Sequence, residues 1–334
     1  VSHLRLLYAC DDNYAPYAGV SMTSLFENNR DAEAVTVYFA ASDISRENRE
    51  KFERLAWLYR REICFLDVRA AMRRIEERRL GAWNSSLATW LRFFVLDQIP
   101  PDARRLIWLD SDTLVLDSLQ PLQDMPLNGC PLAAACDSMC YRARYELGFS
   151  EEEPYFNAGV LVFDLEAWRA QDIGTRMAAY LEKNAALYAR NDQDLLNDCL
   201  RGRIARLHPR YNCQGTLMAY RVEDYLSVYR WAPGAYYDAE TLRQSLDQPA
   251  VIHFFRFLGD YPWQAGRNEH PAKALYEAVK ARSLWRDQPP APARREALFR
   301  VEKALFRLLP RRLFLRLFCR IHNAHSPKKP VSRA

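Results

Sequence analysis

The stretch Leu106-Ile107-Trp108-Leu109-Asp110-Ser111-Asp112-Thr113-Leu114-Val115 decides how the chain is read, because an apolar strand ends there on two carboxylates one residue apart. Side chains at i and i+2 of a strand point to one face, so Asp110 and Asp112 can reach a single ion. Carboxylates at the edge of an apolar core are costly unless paired or metal-bound, and the placement asks for a cation. A hard divalent ion that takes carboxylate oxygens while still holding phosphate oxygens points to a phosphate-bearing substrate. The pattern alone is weak. Asp192 and Asp194 repeat it in a polar helical start, and the competing reading of Asp110 and Asp112 is a pair of strand-end carboxylates that cap a turn.

Outward from this stretch, strand and helix patterns alternate. Residues 4–10, 35–41 and 63–68 read as strands, with a helix over 17–28 and another over 46–60 that Ser45 can cap. Such alternation predicts an open α/β sheet with binding groups at the carboxyl ends of strands. Asp11, Asp12 and Asn13 lie at one such end, and Asp110 and Asp112 at another. Residues 132–136 form a further strand candidate ending near Asp137. Tyr155-Phe156-Asn157-Ala158-Gly159-Val160 enters another strand, in which Gly159 permits close backbone approach. A helix is expected over 169–182, and Asn191 is expected to cap a short helix carrying Asp192, Gln193 and Asp194 in its first turn. Residues 251–254 read as a late strand and 272–284 as a helix. His253, after Val251-Ile252, is either a structural core histidine or an imidazole ligand; as a ligand it tilts the ion from magnesium toward manganese.

With 334 residues, 49% of them hydrophobic, the chain can bury one main domain, expected over 1–288, plus an appendage. Its eight cysteines include no C-x-x-C pair. Cys136 and Cys140 are the closest two and lack a matching His or Cys pair, so reduced thiols in a cytosolic compartment are expected. The first strand begins too early to leave room for a signal peptide, and no apolar run reaches the length of a membrane span. Charge is distributed unevenly: from Arg294 onward 12 Lys or Arg face 2 Glu, a local +10 in a chain of net +5, which leaves the rest at −5. A mildly acidic body is a poor match for a nucleic-acid-binding domain.

Beyond the Pro289-Pro290-Ala291-Pro292 linker, residues 296–309 and 311–322 form two arginine-studded apolar segments broken by Pro310. Leu298, Val301, Leu305 and Leu308 recur at helical spacing, as do Leu313, Leu317 and Ile321. Residues 294–322 are therefore expected to be a basic amphipathic helical region that lies on an anionic membrane surface. The alternative is a helical hairpin packed on the main domain with its arginines solvated. The tail over 323–334 is expected to be disordered.

Taken together, Ala9-Cys10-Asp11-Asp12-Asn13-Tyr14, Leu109-Asp110-Ser111-Asp112, Tyr155-Phe156-Asn157-Ala158-Gly159-Val160, Asn191-Asp192-Gln193-Asp194 and His253 resemble glycosyltransferase family 8 over residues 4–265. The pattern is most similar to the bacterial lipopolysaccharide galactosyl- and glucosyltransferases of that family. The resemblance implies a GT-A fold, an α/β architecture with a Rossmann-like nucleotide-binding mixed sheet. It also implies a UDP-sugar donor, Mn²⁺ with Mg²⁺ as the alternative, and retention at the anomeric carbon. By the same resemblance Ala9, Asp11 and Asn13 hold the nucleoside, while Asp110, Asp112 and His253 hold the metal, with Ser111 between the carboxylates. Arg92 contacts the donor, and Asp137, Asn157, Asp192 and Gln193 surround the transferred hexose. Arg92 would offset charge on departing UDP, and Asp192 or the amide oxygen of Gln193 would stabilise the anomeric carbon. Front-face attack and double displacement both remain open.

Each role has a structural alternative. Asn157 would fix a turn next to Gly159, Asp192 and Gln193 would cap a helix, Asp11 would be a loop carboxylate, and Arg92 would bridge core and surface. The chain also departs from its relatives, which carry a glycine three residues after the metal histidine and then Lys-Pro-Trp, whose lysine contacts the diphosphate. Here His253 is followed by Phe254-Phe255-Arg256-Phe257-Leu258-Gly259-Asp260-Tyr261-Pro262-Trp263, longer by two and without the lysine. Arg256 or Arg267 could replace that charge, with a different geometry. Asn84 stands where the galactosyltransferase pattern tends to carry a histidine.

The expectation is an enzyme of the bacterial cytoplasm, peripheral on the cytoplasmic face of the inner membrane, that moves glucose or galactose onto a lipid-linked oligosaccharide core. Alternatives are transfer from UDP-N-acetylhexosamine, a non-lipid glycan acceptor, and a non-catalytic scaffold bound to membrane or nucleic acid.

Overall fold

In the computed structural model, which describes residues 3–82, 86–139, 141–293 and 297–323, alternation along the strands sends neighbouring side chains into two apolar layers. Leu7, Trp108 and Leu161 enter one layer, and Leu6, Ile107 and Val160 the other. Burial on both faces is what a largely parallel sheet covered by helices requires. The strands are β1 (His3–Cys10), β2 (Ala34–Ala41), β3 (Glu62–Phe65), β4 (Arg105–Leu109), β5 (Thr113–Val115), β6 (Leu132–Cys136), β7 (Phe156–Asp164), β8 (Ile204–Arg206), β9 (Cys213–Gln214) and β10 (Val251–His253). Seven form one sheet in the order β3-β2-β1-β4-β7-β6-β8, and β5-β10-β9 form a second.

Parallel pairing of β1 with β2 and β4, and of β2 with β3, gives the sheet its parallel half. β7 runs antiparallel to both β4 and β6, so the sheet is mixed. The helix after β1, Ala15–Asn28, starts two residues before its expected position because Pro16 suits a first helical turn. Ser45 caps the helix Arg46–Leu58 as expected, its hydroxyl accepting from the backbone N–H of Asn48 at 3.3 Å.

Local geometry corrects other boundaries. The helix expected over 169–182 is two helices, Leu165–Ala170 and Ile173–Asn184, because Asp172 between them has left-handed backbone (φ 48°). Asn191 is not the cap of the helix that follows. It is the first residue of Asn191–Cys199, also with φ 48°, and the carboxylate of Asp194 takes the backbone N–H of Arg190 at 2.7 Å instead. Asparagine tolerates the left-handed region, which frees its side chain from the capping position. The third strand stops at Phe65, and the helix expected over 272–284 is confined to Lys273–Lys280. The expectations placed on Asn84, on the Cys136–Cys140 pair and on the tail beyond residue 323 lie outside the described residues.

The C-terminal pattern resolves into helices Ala297–Leu308 and Arg311–Asn323 on either side of Pro310. Their aromatic side meets the main domain. Phe306 lies 5.1 Å from the Phe257 ring and 6.4 Å from that of Tyr220, and Phe314 packs on Phe306 at 5.2 Å. Lys303 pairs with Asp260 at 2.7 Å, and Arg307 pairs with Glu269. Leu298, Val301, Leu308, Leu313 and Ile321 stay exposed. No helix among the described residues is long and apolar enough to cross a membrane.

Candidate active site

The two sheets meet at the carboxylate pair. After β4 the chain leaves the larger sheet through Asp110-Ser111-Asp112 and enters the smaller one as β5. The backbone N–H of Asp110 donates to the Gly159 carbonyl of β7 at 2.8 Å, and that of Phe254 donates to the Asp112 carbonyl at 2.9 Å. Antiparallel pairing of β5 with β10 sets His253 opposite Thr113. A histidine 143 positions downstream thereby arrives beside the two aspartates, and one ligand atom from each of the three lies within 4.8 Å of the others.

The imidazole is oriented from behind. His253 Nδ1 lies 3.1 Å from Asn157 Oδ1 and 3.2 Å from Asn212 Oδ1, both acceptors, so Nδ1 carries the proton. Nε2 then faces Asp112 at 3.3 Å and Asp110 at 3.8 Å. This is how metal-binding histidines are held by their outer partners. A Cβ on Gly159 would stand 2.1 Å from the ring, so only glycine leaves room for it. Two carboxylate oxygens and one imidazole nitrogen suit Mn²⁺ or Mg²⁺. Burial lifts the Asp110 carboxyl above its ordinary range, against the pull of Arg92. For His253 burial works downward, but Asp112 and Asp110 outweigh it and the imidazole is raised. Ligation needs these groups unprotonated, so protons and a cation compete for the cluster.

Arg92, 1% exposed, is the hub behind the cluster. It donates to Asp110 Oδ1 at 2.9 Å, to the Thr89 carbonyl at 2.8 Å and to the Ala158 carbonyl, and its Nε stands 3.0 Å from Asp192 Oδ2. Its guanidinium lies 4.3 Å over the Trp108 ring, whose N–H also donates to Asp110 Oδ1 at 2.7 Å. Arg92 therefore ties two carboxylates and two backbone segments together. Burial, only partly offset by Arg92, pushes the Asp192 carboxyl up to about 6.

A second polar set adjoins the first. Asn157 donates to Asp137 Oδ2 and to Gln193 Oε1, each at 3.0 Å, and Gln193 Nε2 donates to Asp137 Oδ2 at 3.2 Å. Gln193 Oε1 also accepts the backbone N–H of Ala158 at 3.0 Å. Asp137 directly follows β6, Asn157 lies in β7 and Gln193 in the helix Asn191–Cys199, and each fixes the others' orientation.

Arg92, Asp110, Asp112, Asp137, Asn157, Gln193 and His253 line one cleft of 440 Å³, together with Ala9, Ser111, Asp192 and Arg256. Asp11 and Asn13 are not part of its lining: an Asp11 oxygen takes the backbone N–H of Tyr14 at 3.1 Å, and Asn13 is exposed on the same loop. Arg267 also stands outside, its side chain 77% exposed beside Glu269. Of the two candidate replacements for the missing lysine, Arg256 is the one in the cleft. Sequence reading missed Tyr14, Thr89, Met139, Arg190, Phe255 and Tyr261, which also line it. Tyr14 ends, and Arg190 directly precedes, a motif already singled out, and that proximity is the available signal.

Residues 5–265 match the model of glycosyl transferase family 8. The chain belongs to this family. It is 25% identical over 285 residues to General stress protein A of Bacillus subtilis, covering 84% of this chain and 94% of that one. To the lipopolysaccharide 1,2-glucosyltransferase of Escherichia coli it is 24% identical over 300 residues, covering 87% and 81%. The fold is similar to that of galactosyltransferase LgtC solved with donor and acceptor sugar analogues, with a TM-score of 0.67, 24% identity and coverage of 85% and 99%. The mixed sheet, flanking helices and C-terminal helical region are a GT-A fold. This family 8 protein is a GT-A glycosyltransferase with a candidate metal site at Asp110, Asp112 and His253.

Two outcomes follow for that site. Gly159→Ala should displace the His253 ring and weaken Mn²⁺ binding by about 10- to 100-fold in titration calorimetry; unchanged affinity would refute the cradle. Because Asp110 and His253 are both raised, protons compete with the ion. Mn²⁺ affinity of the wild type should fall steadily between about pH 8 and pH 5, and a flat profile would exclude these groups as ligands.

Proposed function

We propose that this glycosyltransferase moves glucose or galactose, with retention, from a UDP-sugar to a hydroxyl of a lipooligosaccharide or lipopolysaccharide core, using Mn²⁺. The observation that carries the reading is the meeting, in one cleft, of the Asp110–Asp112–His253 cluster with the mutually bonded Asp137, Asn157 and Gln193. The first set suits a diphosphate held through a metal, and the second offers the fixed donors and acceptors that select a sugar's hydroxyl pattern. The bound ion supplies Lewis acidity that offsets charge on departing UDP.

The chain's own groups do the rest. Ala9 marks the nucleoside end of the cleft, next to the loop of Asp11 and Asn13. Arg256 has a buried Nε with no hydrogen-bond partner among the described residues, and it provides the cation for the diphosphate where the lysine is missing. Asp192, paired with Arg92 in the cleft lining, would stabilise positive character at the anomeric carbon, with Gln193 beside it. In a front-face displacement the leaving phosphate takes the acceptor proton, so no side-chain base is required.

The acceptor class rests on the lipopolysaccharide enzymes among the relatives. The exposed Leu298, Val301, Leu308, Leu313 and Ile321, set among arginines, support attachment of residues 294–322 to the anionic cytoplasmic face of the bacterial inner membrane.

The donor reading is tested by screening UDP-glucose, UDP-galactose and UDP-N-acetylhexosamines for slow Mn²⁺-dependent release of UDP. One of the two hexoses should be preferred, and Asp110→Ala or Asp112→Ala should slow release by about 100-fold or more. Release from none of them, or rates indifferent to either substitution, would falsify the reading. For the surface, the combined Arg312→Glu, Arg316→Glu and Arg320→Glu variant should no longer sediment with phosphatidylglycerol-containing vesicles, whereas the wild type should. Equal sedimentation of the two proteins would rule out electrostatic attachment through this helix.

A further inference from the structure

The turn Phe257-Leu258-Gly259-Asp260 is held in a conformation its sequence does not favour. The backbone N–H of Phe257 donates to the Asp260 carbonyl at 2.8 Å, and that of Asp260 donates back to the Phe257 carbonyl at 2.9 Å. Both central residues have positive φ, 49° at Leu258 and 83° at Gly259. This is the two-residue hairpin turn that asparagine and glycine prefer; glycine is at ease in it, and leucine is not. Leu258 is 3% exposed, so packing rather than local preference sets it there.

The packing comes from the C-terminal helices. The Phe299 ring lies against Gly259 so closely that a Cβ there would stand 2.5 Å from it. Phe306 meets Phe257 with ring centres 5.1 Å apart. Lys303 Nζ reaches Asp260 Oδ1 at 2.7 Å, and the other Asp260 oxygen accepts the backbone N–H of Glu269 at 3.0 Å. Asp260 is 1% exposed, and a carboxylate so buried depends on its cation. The turn's two flanks face the other way. Arg256 and Tyr261 line the cleft, with the guanidinium 5.0 Å over the tyrosine ring. No residue of the helix Ala297–Leu308 lines it.

We infer that the C-terminal hairpin is a clamp on the cleft: Lys303, with Phe299 and Phe306, positions the 257–260 turn so that Arg256 and Tyr261 stand ready for the donor's diphosphate. Lys303 is a positioning residue, 47 places in sequence from the arginine it serves. The role of Arg256 rests on the donor reading above; the clamp itself does not.

The test compares full-length wild type, Lys303→Met and Lys303→Arg. Hydrogen exchange at the amides of Phe257, Asp260 and Glu269 reads the turn without any ligand, and calorimetry reads Mn²⁺ alone and UDP in the presence of Mn²⁺. Lys303→Met should speed exchange at those amides and weaken UDP by about fivefold or more, with Mn²⁺ affinity unchanged and Lys303→Arg largely restoring both. Exchange equal to wild type overturns the clamp. Faster exchange with unaltered UDP affinity overturns its connection to the cleft, as does an equal loss of Mn²⁺ affinity, the mark of general damage. Should Lys303→Met fail to fold, Phe299→Leu, which keeps an apolar side chain, is read in the same way. If the wild type binds no UDP with Mn²⁺ present, the donor reading fails, and exchange at the three amides still decides whether the clamp exists.

Discussion

The missing side chain of Gly159 is the constraint on which the rest of the site depends. Its carbonyl takes the backbone N–H of Asp110, and its Cα faces the His253 ring with no room for a Cβ. One residue of β7 thereby touches both the strand end that carries the aspartates and the strand that carries the imidazole. Because β5 and β10 belong to a separate sheet, their position relative to β4 is not fixed by the larger sheet's hydrogen bonds. Close packing at this glycine supplies that relation, and the cluster's geometry is a consequence of it.

Charge is arranged with the same economy. Asp110 and Asp112 would repel in the absence of a cation, and Arg92 alone cannot relieve them because it is shared with Asp192. A buried arginine between two carboxylates leaves one negative charge in excess, and Asp112 adds another. Burial raises the carboxyls of Asp110 and Asp192, with a neighbouring carboxylate adding to each, whereas the His253 imidazole is raised by Asp112 and Asp110 against its own burial. A divalent ion removes the surplus at Asp110 and Asp112, which is why the site fits a metal better than it fits three unassisted titrating groups. Arg92 stands between Asp192 and Asp110 and pairs with both.

What the sequence disclosed follows from the range of the forces involved. The strand ending at Asp110, the Ser45 cap and the break at Pro310 are local matters of periodicity and hydrogen-bonding groups, and each is seen in the structure. Asp172 and Asn191 were misjudged because positive φ at a non-glycine residue is imposed by tertiary context. The resemblance implies a donor contact for Arg92; the residue does line the cleft, and its guanidinium also serves Asp110, Thr89 and Ala158. No periodicity reports how many partners a buried guanidinium will find. Gly159 was recognised as a place of close approach, but that the approaching group is His253 follows only from the pairing of β5 with β10. Asp11 and Asn13 show the converse: their motif is plain in sequence, and their side chains stand outside the cleft lining.

The C-terminal segment shows why amphipathicity alone could not choose between a membrane face and a packed hairpin. The segment carries two apolar stripes rather than one. Its aromatic stripe, Phe299, Phe306 and Phe314, turns inward onto Gly259, Phe257 and the Tyr220 layer, while the aliphatic stripe of Leu298, Val301, Leu308 and Leu313 turns outward. A single hydrophobic count merges the two, although they meet different surroundings. The inward stripe explains how a segment so rich in arginine stays ordered against an acidic body: Lys303 and Arg307 are paired with Asp260 and Glu269. Arg312, Arg316 and Arg320 are left exposed on the second helix with the outward leucines. Since the inward stripe holds the turn that presents Arg256, whatever the outward stripe meets is connected to the cleft through a few packed side chains. On the proposed function, a lipid-bound acceptor and the donor's diphosphate would be served by two sides of the same pair of helices.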